Sequence, residues 1–135
     1  AVLVDFPSPD TTLTDDFKED TYEQANYYFI SNDAAVTALK ESFELLSEIG
    51  ITSESPIEDY ANAVLKANNK NEPLIEEDGF SYFTYTNEVN SNIFFYISVL
   101  KKGKDGFWLI NFMCLDKDKN NKKDEFLKFA KSIEV

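Results

Sequence analysis

Three apolar runs of strand length dominate the second half of the chain: Phe80–Thr86, Ile93–Leu100 and Phe107–Leu115. The short polar connections between them predict antiparallel hairpins. In the second and third runs, both sets of alternate positions are largely apolar, so neither face of the sheet is expected to meet water. The pattern therefore predicts an antiparallel sheet with a cover on each side, and Leu74-Ile75 is expected to belong to a strand just before it.

Helical periodicity occurs in three segments. Apolar residues at helical spacing predict a helix over 34–49, which Gly50 ends. From Ser55 to Glu58 the chain combines a capping serine, proline at the first helical position and a glutamate three residues after the cap, so a second helix is expected there. A C-terminal amphipathic helix is predicted from four residues that share one face: Phe126, Phe129, Ala130 and Ile133.

The segments before residue 34 give weaker signals. Val2–Phe6 and Gln24–Ser31 are predicted strands, and the acidic residues 8–23 are a predicted loop. No repeat or linker is seen, and 135 residues suffice for one domain. The sequence thus predicts a single domain over 1–135 of the α+β class, an α/β/α sandwich whose central antiparallel sheet is covered by helices on both faces. A cystatin-like fold with one helix in a curved sheet is the alternative, and the doubly apolar strands argue against it.

The residue types that are missing exclude several kinds of chemistry. The chain contains no histidine and no arginine, and all 13 basic residues are lysines. Histidine-based catalytic pairs, His–Cys zinc sites and bidentate guanidinium clamps are therefore excluded. The single Cys114 lies in an apolar run and is expected to be a buried, inert thiol. We predict no enzymatic activity, no catalytic residues, no cofactor and no metal ligand.

The negative charge is concentrated in the N-terminal part. The formal net charge of −12 arises within residues 1–60, which hold 14 Asp and Glu against 2 Lys, whereas residues 61–135 hold 11 of each sign. Such a chain repels nucleic acid and anionic lipid. Two interpretations stay open: a solubilising surface, or an acidic face at 8–23 and 41–59 for cations or for a protein partner with a cationic surface. No apolar run reaches the roughly 20 residues that span a membrane.

The stretch from Asp116 to Asp124, DKDKNNKKD, resembles part of a calcium loop. Four of its residues match the ligand positions of an EF-hand loop: Asp116, Asp118, Asn120 and Asp124. Asn121 stands where such a loop has glycine, and Leu127 stands where a bidentate glutamate closes it. We therefore expect a solvent-exposed strand-to-helix connection that binds no calcium, with the helix starting near 121–124.

Two further sets of residues are candidates for chemistry. Adjacent carboxylates such as Glu58-Asp59 and Glu76-Glu77 could supply an acid and a base across a sugar, which makes a carboxylate hydrolase one hypothesis. Aromatic side chains on a sheet could stack on a small ligand or a glycan, or they could fill the core. The candidate ligand-binding residues are Tyr27, Tyr82, Tyr85 and Trp108.

The order of motifs in the last 80 residues or so carries a family likeness. It consists of a helix in SPIEDYANAVLKAN (55–68), a turn in EEDGFSYFTYT (76–86), a hairpin in NIFFYISVLKKGKDGFWLINFMC (92–114) and a final helix in FLKFAKSIEV (126–135). In this order the chain resembles the PsbP-like superfamily, which includes PsbP, Ran-binding Mog proteins and DcrB-like lipoproteins. The resemblance implies an α/β/α sandwich in a non-catalytic accessory or binding protein, often secreted or lipid-anchored in bacteria. The metal-retention and Ran-binding roles of relatives depend on residues that have no match here.

These observations favour a non-catalytic extracytoplasmic accessory or protein-binding domain, located in the cell envelope or secreted. A processed or trimmed N-terminus is expected because the sequence begins with Ala1 rather than Met, and the resemblance adds a lipid anchor on the precursor to this expectation. The alternative function is a small-ligand or glycan-binding domain that uses tyrosines at the sheet edge.

Overall fold

The apolar runs form one antiparallel sheet in the computed structural model, which describes residues 27–30, 33–77 and 79–133. The predicted strand Val2–Phe6 and the predicted loop 8–23 lie outside the described residues, as do residues 24–26 and 31 of the predicted strand Gln24–Ser31. The order of the described strands is β1-β2-β6-β5-β4-β3, and all neighbours are antiparallel. The strands are β1 (Tyr27–Ile30), β2 (Ala34–Ser42), β3 (Ile75–Glu77), β4 (Phe80–Val89), β5 (Asn92–Lys102) and β6 (Gly106–Leu115).

Helices cover both faces of this sheet. Helix α1 (Phe43–Leu46) is a single turn followed by a 3-10 turn at Ser47–Ile49, and the longer helices are α2 (Ile57–Ala67) and α3 (Lys119–Ser132). The predicted α+β sandwich, with an antiparallel sheet between helices, is confirmed. The physical reason is the one that the sequence indicated: β5 and β6 are apolar on both faces and need two covers.

The two faces have separate cores. On one face, α2 packs on Leu100 and Phe107, and the Tyr60 ring stacks on Phe107 with centroids 4.8 Å apart. On the other face, α3 packs on the alternate residues of β5 and β6, and Phe126 meets Phe112 at 5.2 Å. We call these the α2 face and the α3 face.

The predicted helix over 34–49 is wrong for its first nine residues, which form strand β2. The apolar spacing of Ala35, Leu39 and Phe43 is helical, but Val36 and Ala38 also alternate as a strand requires. In the sheet Val36 lies opposite Phe112 of β6, so small and bulky side chains face each other. Without β2, the outer backbone groups of β6 would be buried unpaired, and this pairing outweighs local helical propensity.

Two helix starts also differ from prediction. Helix α2 begins at Ile57 with Pro56 as N-cap, while the Ser55 hydroxyl accepts a hydrogen bond from the Thr52 amide at 2.9 Å instead of capping the helix. Helix α3 begins at Lys119, directly after a 3-10 turn at Asp116–Asp118. The predicted loop up to 121–124 is therefore absent, because the 3-10 turn directly follows β6 and runs into the helix without a break.

Tight turns and one buried lysine complete the frame. Strands β4 and β5 join through Asn90-Ser91, whose φ angles are +52° and +68°, which is the signature of a type I′ turn. Lys101 is buried on the α3 face, and its Nζ donates to the Ile133 carbonyl oxygen at 2.5 Å. This hydrogen bond ties β5 to the end of α3.

Candidate functional site

Two of the four aromatic candidates lie in the core of the α3 face. The exposed fraction is 5% for Tyr82 and 6% for Trp108, and both belong to the same buried cluster. At these exposures neither ring presents a face to solvent. Tyr82 and Trp108 therefore act as core side chains in this structure.

The other two candidates lie far apart in the sheet. Tyr85 lies on the α2 face of β4, whereas Tyr27 lies in β1, and three strands separate β1 from β4. Tyr27 pairs with Ala38 through the backbone, and its side chain is outside the described part of the structure. The structure does not bring Tyr27, Tyr82, Tyr85 and Trp108 into one site.

Tyr85 lies against both an aromatic ring and a cation. Its half-buried ring stacks on Tyr96, with centroids 4.7 Å apart and planes 3° from parallel. The Lys70 ammonium lies 4.1 Å from the Tyr85 ring centroid. Burial raises the pKa of Tyr85 while a hydrogen bond with Ser98 lowers it, and burial first, then Tyr85, raises the pKa of Tyr96 to about 12. Ser98 in turn donates to the Asn111 side-chain oxygen at 2.6 Å.

Glu72 is the unusual member of this group. It lies between α2 and β3, and its negative charge contributes to the raised pKa of Tyr85. Its Oε2 atom is buried and has no hydrogen-bond partner. A buried carboxylate oxygen that no donor satisfies costs free energy, so such an atom calls for an explanation. Sequence reasoning missed Glu72 and Lys70, since neither belongs to a motif.

A second site of interest is the exposed turn between β2 and α2. Leu45 and Ile49 are 66% and 63% exposed, and they are four residues apart on α1 and the following 3-10 turn. Three exposed carboxylates, Glu44, Glu48 and Glu54, lie in the same segment. We call these five residues the acidic surface. It lies within a stretch from 41 to 65 that contains six carboxylates and no lysine.

Local contacts hold this segment in place. The Ser42 hydroxyl caps α1 by accepting from the Leu45 amide at 3.3 Å, and Ser47 donates to the Glu44 carbonyl at 2.7 Å. Leu46 and Ile51 are buried beneath, against α2. These hydrogen bonds and the buried contacts beneath fix the turn, so the exposed side chains of Leu45 and Ile49 are held toward solvent.

Lysines pair with carboxylates elsewhere in the described chain. Lys122 contacts Asp33 at 2.7 Å, and Lys131 contacts Glu77 at 3.7 Å. Among the described residues, no ion pair involves Glu44, Glu48 or Glu54. In the described part of the chain, no lysine therefore neutralises these three carboxylates through an ion pair.

Two carboxylates from different elements lie close together, a pairing that the sequence did not predict. Glu58 in the first turn of α2 and Glu76 in β3 are exposed and share a hydrogen bond, which raises the pKa of Glu76. A backbone hydrogen bond first, and then the bond with Glu76, lower the pKa of Glu58. Glu76 points toward α2 because its neighbour in register, Ser81, lies on that face. This exposed pair brings together two of the carboxylates that the carboxylate-hydrolase hypothesis named.

The calcium-like stretch forms the 3-10 turn and the first turn of α3. The Lys119 ammonium lies 3.6 Å from Asp116, the residue that matches the first ligand position of a calcium loop. In the described residues, no group of three His, Cys, Asp or Glu side chains is placed to hold a metal ion. That this stretch does not bind calcium stays a prediction.

Comparison with known proteins finds no match. No protein-family model matches the sequence, and no curated protein and no solved structure matches it either. The likeness to the PsbP-like superfamily therefore stays a prediction. Among the helices of the described chain, none combines the length and the apolar character needed to cross a membrane.

Proposed function

We propose that this chain is a non-catalytic protein-binding domain whose binding site is the acidic surface. The observation that carries the proposal is a pair of outward apolar side chains, Leu45 and Ile49, among unpaired carboxylates. Protein interfaces combine an apolar centre with a polar rim, and complementary charge steers the partner to it. The partner we propose has an apolar contact surrounded by lysine and arginine.

The proposal also covers the location of the protein and its class. We propose an extracytoplasmic accessory protein of the cell envelope, or a secreted one, related to the PsbP-like superfamily. Support comes from the order of motifs at 55–135 and from the lack of histidine and arginine, which removes common catalytic groups. The alternative, a ligand- or glycan-binding domain that uses tyrosines, has less support because Tyr82 and Trp108 are buried.

The test is a capture experiment with matched variants. The immobilised chain is exposed to the envelope fraction of its source cells, and the captured protein is then titrated in purified form. Leu45→Asn with Ile49→Asn should weaken its binding at least about tenfold, because such side chains are typical interface anchors. Neutralising Glu44 and Glu48 to Gln should weaken binding and reduce its dependence on salt.

The control variants alter similar residues elsewhere. Ile93→Asn removes an apolar side chain that is 51% exposed at the far end of β5, and Glu125→Gln removes a carboxylate from α3. Both should leave binding unchanged. If the control variants weaken binding as much as the Leu45 and Ile49 variants, the proposed site is wrong.

A further inference from the structure

The outer edge of β4 is only partly covered by β3. Strand β3 pairs with residues 80–82, whereas β4 continues to Val89. Along residues 83–89, which we call the open edge, no strand of the described part of the chain lies beside β4. Residues 86–88 are exposed, so another molecule can reach this edge from solvent.

Pro73 accounts for the short length of β3. Ile75 lies opposite Tyr82, and in the same register a longer β3 would place Pro73 opposite Thr84. Proline has no backbone N–H to donate to a neighbouring strand. The ladder therefore ends before Pro73, and β3 cannot extend along the open edge.

The backbone groups that face outward follow from the β4–β5 hairpin. In a two-residue turn of this type, the carbonyl before the turn accepts from the amide after it, so Val89 and Asn92 form a hydrogen-bonded pair. Such pairs alternate with non-bonded ones along an antiparallel ladder. The N–H and C=O groups of Thr84, Thr86 and Glu88 therefore face away from β5. Outside the sheet ladders, no backbone hydrogen bond of the described residues reaches these three residues.

The composition of the open edge favours pairing with a further strand. Five of its seven residues, FTYTNEV, are β-branched or aromatic, and none is a proline or a lysine, which proteins use to protect exposed edges. Its outward N–H and C=O groups recur at every second residue, which matches the backbone of one extended chain. The ligand that this edge fits is therefore an extended polypeptide.

The β4 strand of a second copy fits this edge poorly. The symmetric pairing with three bonded pairs centres on Thr86 and places the partner's Asn90 opposite Tyr82, where Ile75 already lies. A shift that avoids this overlap leaves only two bonded pairs, each between Thr86 of one copy and Glu88 of the other. Two copies with a net charge of −12 each also repel one another.

We propose that the open edge binds an extended segment of a different protein, which adds an antiparallel strand beside residues 84–88. A lysine or arginine of that segment lies opposite the exposed Glu88, because opposite charges stabilise cross-strand pairs. Its β-branched residues lie opposite Thr84 and Thr86, which share one face of the sheet. The segment turns away beyond Thr84, since β3 occupies the position opposite Tyr82.

The test uses the blocked pentapeptide Lys-Thr-Val-Thr-Val, whose lysine lies opposite Glu88 and whose valines lie opposite Thr86 and Thr84. NMR titration of the whole chain follows the backbone amide signals. Those of Thr84, Thr86 and Glu88 should shift with saturation at about millimolar peptide, and their hydrogen exchange should slow. If these signals do not move, or if only signals elsewhere saturate, the proposal is wrong.

Two N-methylated peptides distinguish strand addition from other contacts. Methyl groups on the amides of both valines remove donors that face β4, so binding should weaken at least about tenfold. Methyl groups on the amides of both threonines lie on the outer side of the added strand, so binding should stay within about twofold of that of the parent peptide. An equal loss in both peptides would overturn the proposal.

Two variants of the chain test the register. Thr86→Pro removes an outward N–H without touching the bonds to β5, and it should weaken binding at least about fivefold. Glu88→Lys should weaken binding of the lysine peptide by about two- to fivefold, and a peptide with glutamate in place of lysine should recover that loss. No recovery by the glutamate peptide would contradict the proposed register.

Controls separate this site from the acidic surface and from self-association. Glu54→Lys reverses an exposed carboxylate of the acidic surface, and the variant that combines Leu45→Asn with Ile49→Asn removes its apolar side chains. Both should bind the pentapeptide as the wild type does, so the two proposals fail independently. Sedimentation of the chain without peptide should show a monomer. A dimer that Thr86→Pro abolishes would make a second copy the occupant and would overturn the proposal.

Discussion

Replacing Ser91 by glycine should stabilise the chain, although it removes a side chain. Ser91 is the second residue of the β4–β5 turn and has φ +68°. A residue with a Cβ in this left-handed region costs about 1–2 kcal/mol relative to glycine. Glycine in turn gives the unfolded chain more conformational freedom, which costs about 0.4–1 kcal/mol. The difference leaves a net stabilisation of about 0.5–1 kcal/mol.

The same free energy can be expressed as a melting temperature. Unfolding entropies of about 2.1 cal/mol/K per residue correspond to about 0.28 kcal/mol per degree for 135 residues. Ser91→Gly should therefore raise the melting temperature by about 2–4 °C. Asn90 stays in place, because asparagine tolerates positive φ better than serine does.

Thermal unfolding followed by circular dichroism measures this shift, and the urea midpoint measures the free energy. The matched control is Ser53→Gly, since Ser53 is exposed and is not among the described non-glycine residues with positive φ. That change should lower the melting temperature by a few degrees. If both variants lower the melting temperature equally, Ser91 carries no backbone strain that glycine relieves.

Three more predictions concern the sheet, the thiol and the carboxylate pair. Gly106→Ala should lower the melting temperature by about 10 °C in calorimetry, because its Cβ would overlap the Glu41 carbonyl oxygen across the β2–β6 pairing. At about pH 8, Cys114 should react with an aromatic disulfide about 100-fold more slowly in the folded chain than in urea, since burial raises its pKa to about 11. Glu76→Gln should raise the melting temperature near pH 7 and lose that gain toward about pH 4. The folded pKa of Glu76 is raised, so its ionisation opposes folding above that pKa.

Each of these has an outcome that contradicts it. An alanine Cβ at position 79 meets no neighbouring atom, so Gly79→Ala should lower the melting temperature less than Gly106→Ala does. This holds although the φ of +88° at Gly79 strains an alanine there. Equal reaction rates of the thiol in the folded and unfolded chain would mean that Cys114 is accessible. Glu77→Gln removes a contact with Lys131 and should not stabilise the chain, so a rise in melting temperature equal to that of Glu76→Gln would exclude the interaction of Glu76 with Glu58 as the cause.

The elements that were correctly predicted are those with a single consistent pattern. Strands β5 and β6 alternate cleanly on two faces, and α2 has one apolar stripe. Strand β2 carries two overlaid patterns, because Ala35 and Leu39 satisfy helical spacing while Val36 and Ala38 satisfy strand spacing. The choice between them depends on β6, which lies far along the chain and which local sequence reasoning does not see.

The candidate sites differ in the same way. Leu45 and Ile49 fall outside the predicted apolar stripe of 34–49, so their exposure could have been noticed in the sequence. The position of Lys70 over the Tyr85 ring and the stacking of Tyr85 on Tyr96 could not be predicted, because they depend on the turn that ends α2 and on the register of β4 on β5. Likewise, the opposite faces of Tyr82 and Tyr85 follow from their odd spacing, whereas burial of Tyr82 needed the position of α3.

The pairing of β2 with β6 has a consequence for synthesis on the ribosome. Ala34 pairs with Cys114 and Ser42 with Gly106, so β2 emerges long before β6, although its other neighbour, β1, is made just ahead of it. In a chain that folds as it is made, the edge of 34–42 that pairs with β6 therefore stays open until residue 115 has left the exit tunnel. The helical spacing of the apolar residues in this segment favours a transient helix during that time. We expect a nascent helix that converts to strand as the final step of folding, after β4, β5 and β6 have formed.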